Sequence, residues 1–428
     1  MTESPNPQAV RLDYGKDGLH LDLEGLNATV LRPQYVKGVP DEKAAFVKAL
    51  RHPIGAEPLR EIIAADETVA IAIPDITRAL PSDRLLPWLL EELGHVQSEN
   101  VTIVVGTGTH RANTREELAM MVGQAIVDRY RIINHDARDS STMRRVGRSQ
   151  FGYEVHINCD YVEADRRILM GFIEPHFMAG FSGGYKAVFP GLADLEAILE
   201  YHGYDNIAHP LSTWGILEGN PTQAHVRAGG SLVSVDFLVN VTLNSERAIT
   251  SFFCGDVIDA HMAGCRFSKE TAMAGVNRRF PVVVTTNSGY PLDLNLYQAV
   301  KGMTAAHAVT KPGGLVIAAA QCANGIPDHG AFRRQLCRYA SPRDALRAIR
   351  TPGFAEIDQW QTQKLNQILL ECRIQLLSEI NPNTVRSVHL DPITDLRRAI
   401  DDELSRLGDK DAPVAVLPEG PLTIPYIR

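Results

Sequence analysis

Two short runs of β-branched and apolar residues, Val69-Ala-Ile-Ala-Ile73 and Val101-Thr-Ile-Val-Val105, each break at a loop marked by Pro or Gly, and each then leads into a helical pattern. The first loop is Pro74-Asp-Ile-Thr-Arg78, with a helix expected over roughly 83–97. The second is Gly106-Thr-Gly-Thr-His-Arg111. Thr114 then opens a helix, and Glu117 three residues on completes a capping-box pattern. Two further runs, Arg131-Ile-Ile-Asn134 and Arg167-Ile-Leu-Met-Gly-Phe-Ile173, extend the series. Strands that read as near-continuous apolar runs are buried on both faces, which a parallel sheet with crossover helices provides. The chain is therefore expected to be α/β, with two domains built on mainly parallel doubly wound sheets. Ligands collect at the carboxyl ends of strands in such sheets. The loops carrying Asp75–Arg78, His110 and Glu174-Pro-His176 are thus expected along one edge.

The rest of the chain sorts around this pattern. Leu19-His-Leu-Asp-Leu23 alternates as a strand, Glu42–Arg51 reads as a helix, and Leu232–Thr242 and Ile249–Phe253 read as strands before a helix over about 256–275. From Pro281 the α/β order restarts, with strand Val282-Val-Val-Thr-Thr286, a helix around 293–308 and strand Leu315–Ala320. Helices near 330–350 and 358–380, a strand over Val385–Leu390, a helix over 393–407 and a strand over Val414–Leu417 follow. At roughly 100–200 residues per domain, this divides into an N-terminal α/β domain over 1–277 and a C-terminal one over 278–405. The final segment, 406–428, is free to return to the first domain.

Composition narrows the partners. Lys+Arg 43 against Asp+Glu 51 leaves a net charge of −8, so the surface has no electrostatic reason to seek nucleic acid or an anionic membrane. No apolar run approaches the ~18 residues of a membrane span. The opening residues, Met1 to Gln8, lack the basic-then-apolar order of a secretory leader. The six cysteines form no CxxC pair, which points to reduced thiols and a cytoplasmic setting.

Residues 171–202 concentrate the chemistry. Gly171, Gly180, Gly183, Gly184 and Gly191 surround His176 and Lys186, and His202 closes the stretch. Such glycine density suits tight turns and close approach of backbone to a ligand. The set can converge on a metal or cofactor, or it can be a connector whose polar residues are merely solvated. Known motifs decide little. Arg111 stands where GxGxxG needs its third glycine, and Ala187 follows Lys186 where a P-loop needs a hydroxyl. HExxH and GxSxG are absent, and Ser182 lacks hydrolase surroundings. Among the histidines, His20, His52, His95, His135, His156, His261, His329 and His389 sit in ordinary surface or half-buried contexts, and nothing marks His209, His225 or His307. His110 and His176 differ by lying in loops at strand ends.

Taken together, Gly106-Thr-Gly-Thr-His-Arg111, Glu174-Pro-His-Phe-Met-Ala-Gly-Phe-Ser-Gly-Gly-Tyr-Lys186, His202 and Tyr297-Gln-Ala-Val-Lys301 resemble the nickel-dependent lactate racemase family. The resemblance spans both expected domains and implies an active site in the cleft between them. It implies a nickel-pincer nucleotide, Ni(II)-pyridinium-3,5-bisthiocarboxylate mononucleotide, attached covalently at Lys186 through a thioamide. His202 would be the one protein ligand on nickel. Asp75, Ile76, Thr77 and Arg78 would contact the cofactor, with Arg78 also near the substrate. His110 and His176 would be the paired acid/base residues, and Gln298 and Lys301 would bind the substrate carboxylate. Tyr297 would lie in the pocket, with Trp360 also lining it. Partners would be a small 2-hydroxy acid and the maturation proteins that make the cofactor.

The implied chemistry is coherent with these residue types. The α C–H of a 2-hydroxy acid is poorly acidic, so removing hydrogen as hydride avoids a carbanion and gives a planar keto acid. The hydroxyl proton must leave in step, a task for an imidazole with an ordinary pKa of about 6.5. Two enantiomers present the hydroxyl in two directions, hence two histidines. Lactate is the default substrate by resemblance; malate, longer aliphatic or aromatic 2-hydroxy acids and sugar acids are the alternatives. An NAD-type dehydrogenase or a non-catalytic nickel or cofactor carrier are the rivals from other classes.

Overall fold

The computed structural model describes residues 8–328 and 330–428. Residues 1–7, most of the segment read as lacking a leader, and His329 lie outside the described residues. The chain divides into two compact units: one comprises 35–201 and 211–271, the other 1–34, 202–210 and 272–428.

The unit containing 35–201 is built on a six-stranded sheet. Its spatial order is Ile249–Gly255, Phe237–Leu243, Arg166–Phe172, Val69–Pro74, Val101–Gly106, Arg131–Asn134. Every neighbouring pair is parallel except the first, where Phe237–Leu243 runs antiparallel to Ile249–Gly255. The central strands are buried along nearly their whole length, which is why they read as continuous apolar runs. Helices Glu42–Arg51 and Ser82–Glu92 supply Phe46, Leu50, Leu85, Leu86 and Leu89 to the same core as Ile71, Ile73 and Ile103. The chain leaves Val69–Pro74 toward Val101–Gly106 and Arg131–Asn134, then comes back to add Arg166–Phe172 on the opposite side. Strand order therefore reverses beside Val69–Pro74, the position where doubly wound sheets bind their ligands. The capping box at Thr114 is present: the Thr114 hydroxyl accepts the Glu117 N–H at 3.2 Å, and Glu117 accepts the Thr114 N–H at 2.8 Å.

The other unit has its own six-stranded sheet, in the order Asp391–Ile393, Arg373–Leu377, Thr310–Ala319, Phe280–Thr286, Val414–Leu417, Ala28–Val30, parallel throughout. Val282, Val284, Leu315, Ile317, Val414 and Val416 share a core with Leu12, Leu21, Leu396 and Ile400.

Four sequence-based expectations change here. Residues 8–34, expected with the N-terminal domain, belong with the C-terminal sheet, because Ala28–Val30 pairs with Val414–Leu417 and the hairpin Ala9–Leu12/Leu19–Asp22 packs into that core. Residues 406–428 complete the C-terminal sheet: Val414–Leu417 lies between two of its strands, and Ile424–Ile427 pairs with Met273–Val276. The helix expected over 358–380 stops at Glu371, and Arg373–Leu377 is a strand whose side chains alternate in burial. Val385–Leu390 is not a strand; Asn381 caps a helix over Pro382–Ser387, with Pro382 at its first position, where a missing N–H costs nothing. Among the described residues no helix is long and apolar enough to cross a membrane, and all six cysteines are free.

Candidate active site

Three loops leave the carboxyl ends of adjacent strands in the unit containing 35–201. The first follows Val69–Pro74 and turns at once, with Arg78 N–H donating to the Asp75 carbonyl at 3.1 Å. Asp75 is buried while Thr77 and Arg78 are exposed, and Ile76 N–H is held by Asn113 Oδ1 at 3.2 Å. Asp75 Oδ1 accepts from Thr77 N–H at 3.2 Å and from the Thr77 hydroxyl at 2.6 Å, and its Oδ2 lies 2.6 Å from His110 Nδ1. Burial pushes the Asp75 pKa up, but His110, Arg78 and Thr77 together outweigh that and hold it below the ordinary carboxylate value.

The second loop carries His110, whose imidazole is partly exposed. Its glycines bring it against the third loop: Gly108 N–H donates to Gly191 O at 3.0 Å, and a Cβ on Gly106 would sit 3.4–3.5 Å from the Gly191 and Ala187 carbonyls. The third loop begins with a short hairpin pairing Pro175–His176 with Gly180–Phe181. Gly180, at φ +79°, runs so close to Ile216 O that no side chain fits. Within the hairpin, His176 Nδ1 accepts N–H groups from Met178 at 3.2 Å and Ala179 at 3.1 Å. Ser182 is a structural tie: its hydroxyl accepts Glu174 N–H and donates to Phe172 O, each at 2.9 Å.

Lys186 lies in the single turn Gly184–Ala187 that follows. Asn240, buried on Phe237–Leu243, accepts Gly184 N–H at 2.9 Å, and the His261 ring fills the space beside Gly184. The side chain keeps some exposure, yet its ammonium is set deep, 5.9 Å from the centre of the Tyr201 ring. Burial, with the like charge of Arg78 second, pushes its pKa down from 10.5 to about 7. A recess of ≈ 130 Å³ opens beside the first loop, walled by Asp75, Ile76, Arg78, Met120 and Met121. Two larger surface recesses, ≈ 530 and ≈ 560 Å³, contain none of the expected site residues. Size alone does not locate the chemistry.

The other unit holds the remaining set. His202 is 8 % exposed and follows directly on helix Leu195–Tyr201. Its ring stacks on Trp360 with centroids 4.0 Å apart. Gln359 Nε2 donates to the His202 carbonyl at 3.2 Å, and Gln363 Nε2 to the Tyr204 carbonyl at 2.9 Å. Trp360 Nε1 donates to Tyr297 Oη at 3.1 Å. Tyr297, Gln298 and Lys301 lie on helix Leu296–His307, which Asn295 caps by accepting Gln298 N–H at 3.1 Å. That helix buries Leu296, Ala299, Val300 and Met303 and leaves Tyr297, Gln298 and Lys301 half-buried. Lys301 stands four residues after Tyr297 and three after Gln298, which puts the three on one side of the helix.

The expected residues thus divide: Asp75, Ile76, Thr77, Arg78, His110, His176 and Lys186 lie in one unit, His202, Tyr297, Gln298, Lys301 and Trp360 in the other. Several supporting residues escaped the sequence reading. His135 and His261, read as surface or half-buried, are 1 % and 3 % exposed. Asn240 carries no local mark. Gln359, Gln361 and Gln363 are all buried, and three glutamines in five helical residues is a signal that could have been noticed.

Comparison with known proteins gives the family. The family model for the lactate racemase N-terminal domain matches residues 14–215, and that for the lactate racemase C-terminal domain matches 277–424. The lactate racemase of Thermoanaerobacterium thermosaccharolyticum is 34 % identical over 426 residues, covering 96 % of this chain and 97 % of that protein. That of Lactiplantibacillus plantarum is 36 % identical over 384 residues, covering 89 % and 90 %. The solved structure of the Thermoanaerobacterium lactate racemase apoprotein superposes with a TM-score of 0.91 at 33 % identity, covering 98 % of this chain and 100 % of that one. A Thermotoga maritima protein shares the fold alone, at a TM-score of 0.70 and 17 % identity, covering 92 % and 100 %. The chain belongs to the lactate racemase family of isomerases.

Proposed function

We propose that this chain inverts C2 of a small 2-hydroxy acid, lactate first among them, by reversible hydride transfer with a nickel-pincer nucleotide held on Lys186. The full-length relatives named lactate racemase support the reaction class. The observation that carries the tether is the place of Lys186, whose amine is set deep beside the turn Gly184–Ala187, 5.9 Å from the centre of the Tyr201 ring. With its pKa pushed down to about 7, much of it is free amine at neutral pH, the form needed to bond covalently to a carboxyl-derived arm of the cofactor.

The donor set fits such a group. Among the described residues no cluster of three or more His, Cys, Asp or Glu is disposed to hold a metal ion. On this reading nickel would draw most of its ligands from the cofactor, with His202 as the protein's own. Imidazole suits nickel, and the Trp360 stack limits how the His202 ring can turn. Asp75, Ile76, Thr77 and Arg78 would hold the rest of the cofactor.

When bound, the nickel-pincer nucleotide supplies the hydride acceptor that amino-acid side chains do not provide. Arg78 and Lys301 anchor the substrate carboxylate through charge-assisted bonds, about twice as strong as neutral ones, with Gln298 and Tyr297 beside them. A fixed carboxylate lets the planar keto acid turn its other face without escaping. His110 and His176 move the hydroxyl proton. The partners this reading requires are the maturation proteins that make the cofactor.

The test is to incubate the cofactor-loaded chain with single enantiomers of lactate, malate, longer aliphatic and aromatic 2-hydroxy acids and gluconate-type sugar acids, each deuterated at C2. Inversion with the label retained is expected. If every enantiomer stays unchanged, or turnover needs added nicotinamide nucleotide, the reading is overturned; label lost to water replaces hydride transfer with proton abstraction.

A further inference from the structure

The two histidines assigned to the hydroxyl proton are held by opposite chemistry. His110 Nδ1 faces Asp75 Oδ2 at 2.6 Å. A carboxylate only accepts hydrogen bonds, so in the neutral ring the nitrogen facing it carries the proton and Nε2 is left with its lone pair. Asp75 is itself fixed, because both hydrogen bonds from Thr77 end on its other oxygen. At His176 the polarity is reversed. Its Nδ1 accepts two backbone N–H groups, from Met178 and Ala179. A proton there would point into two donors, so Nδ1 carries the lone pair and the proton of the neutral ring sits on Nε2.

We infer that His110 and His176 rest in opposite tautomers, and that Asp75 is the positioning residue that makes His110 the resting base. The inference rests on the function proposed above for its kinetic consequence but not for its structural content. An enantiomer whose hydroxyl meets His110 finds a bare Nε2 able to take its proton. The mirror enantiomer meets the Nε2–H of His176, a hydrogen-bond donor. For His176 to act as a base, its proton must leave Nε2 and the two amide bonds at Nδ1 must give way. The two directions of turnover therefore begin from inequivalent protein states. Enantiomers have equal free energy in water, so their kcat/KM values are bound to be equal. The inequivalence is confined to kcat and KM separately, which differ between the enantiomers by the same factor.

Two measurements test this. The first is nitrogen NMR of the cofactor-free full chain carrying 15N-histidine, with signals assigned by their loss in His110→Gln and His176→Gln. One ring protonated on Nδ1, belonging to His110, and one protonated on Nε2, belonging to His176, are expected. In Asp75→Asn, Thr77 keeps the amide oxygen and turns the NH₂ toward His110 Nδ1. That ring then moves its proton to Nε2, while His176 is unaffected. His110 resting with its proton on Nε2, His176 with its proton on Nδ1, or an unmoved His110 signal in Asp75→Asn each overturns the inference; the wild-type spectrum decides even if the variant folds poorly. The second measurement is the loaded enzyme with each enantiomer. Unequal kcat values with a matching split in KM are expected, along with a loss of about 10²–10⁴-fold in kcat for Asp75→Asn. Equal kcat and equal KM overturn the kinetic consequence. Opposite tautomers in a chain that inverts no 2-hydroxy acid sustain the structural assignment and refute the proposed function.

Discussion

His202 and Trp360 lie ring on ring, with centroids 4.0 Å apart and planes 27° apart. The indole N–H donates to Tyr297 Oη, and the neighbouring Gln359 holds the His202 carbonyl. One helix, Gln359–Glu371, thus fixes both the ring and the backbone of the proposed nickel ligand. It also reaches Leu296–His307, which carries the proposed carboxylate-binding residues. This accounts for polar residues buried on that helix: Gln359, Gln361, Thr362 and Gln363 bond to the His202 carbonyl, the Tyr297 carbonyl, Gln335 Oε1 and the Tyr204 carbonyl in turn. Its polar atoms hold neighbouring segments where apolar side chains would only fill space.

Trp360 should be a stability determinant as well as a pocket residue. At 6 % exposure, Trp360→Ala is expected to cost about 3–5 kcal/mol in urea unfolding. Trp360→Phe keeps a ring against His202 and gives up the 3.1 Å bond to Tyr297, so it should cost less. An unfolding midpoint for Trp360→Ala equal to wild type would show that the stack does not hold this region.

His202→Ala should lower nickel retention in the loaded protein. The metal would keep the cofactor's ligands but lose the protein's, so elemental analysis after gel filtration should find a reduced nickel-to-protein ratio. Trp360→Ala should shift that ratio the same way by a smaller amount, because it removes the stacking surface and leaves the imidazole. Full nickel content in His202→Ala would remove His202 from the ligand set.

The depressed Lys186 pKa has two readouts. Acylation of the cofactor-free chain by a limiting amine reagent should reach half its maximal rate at Lys186 near pH 7, against about 10.4 for an ordinary lysine. The linkage sign follows directly. Between those two values the unfolded chain holds a proton that the folded chain has released, so the Lys186 contribution to stability rises with pH across that window. Below pH 7 both states are charged and it is flat. Lys186→Met should reduce the slope of stability against pH above 7; an unchanged slope would show the amine is solvated.

What the sequence revealed and what it hid follow from the range of the interactions involved. Strands such as Val69–Pro74 and Val101–Gly106 are legible because burial on both faces writes itself into consecutive residues. The loops bearing Asp75, His110 and His176 are legible because a loop at the end of such a strand has a known place in the fold. The place of Ala28–Val30 is not legible, because its partner, Val414–Leu417, comes from the far end of the chain and nothing in three residues names it. Asp75 was expected only as a cofactor contact; its bond to His110 joins two loops whose meeting depends on strand order. His261 passed as ordinary because its task is to fill space beside Gly184, a relation between a helix and a turn that no local pattern encodes.

That last relation gives the sharpest mutational test of the Lys186 turn. Gly184 has φ +57°, and a Cβ there would lie 2.8 Å from the His261 ring. Gly184→Ala therefore meets both backbone strain, on the order of 1–3 kcal/mol, and a clash. His261→Ala removes the clash but sacrifices the 2.9 Å bond to Ser182 O. Because the two side chains compete for one space, the double variant Gly184→Ala/His261→Ala should be more stable than the sum of the single losses predicts, a non-additivity expected of residues in contact. The strain at φ +57° remains, so recovery should be partial. The same series should move the Lys186 acylation midpoint upward from pH 7 as the turn loosens and water reaches the amine. Strict additivity in urea unfolding, or a fixed acylation midpoint in Gly184→Ala, would show that the Gly184–His261 contact does not set the position of Lys186.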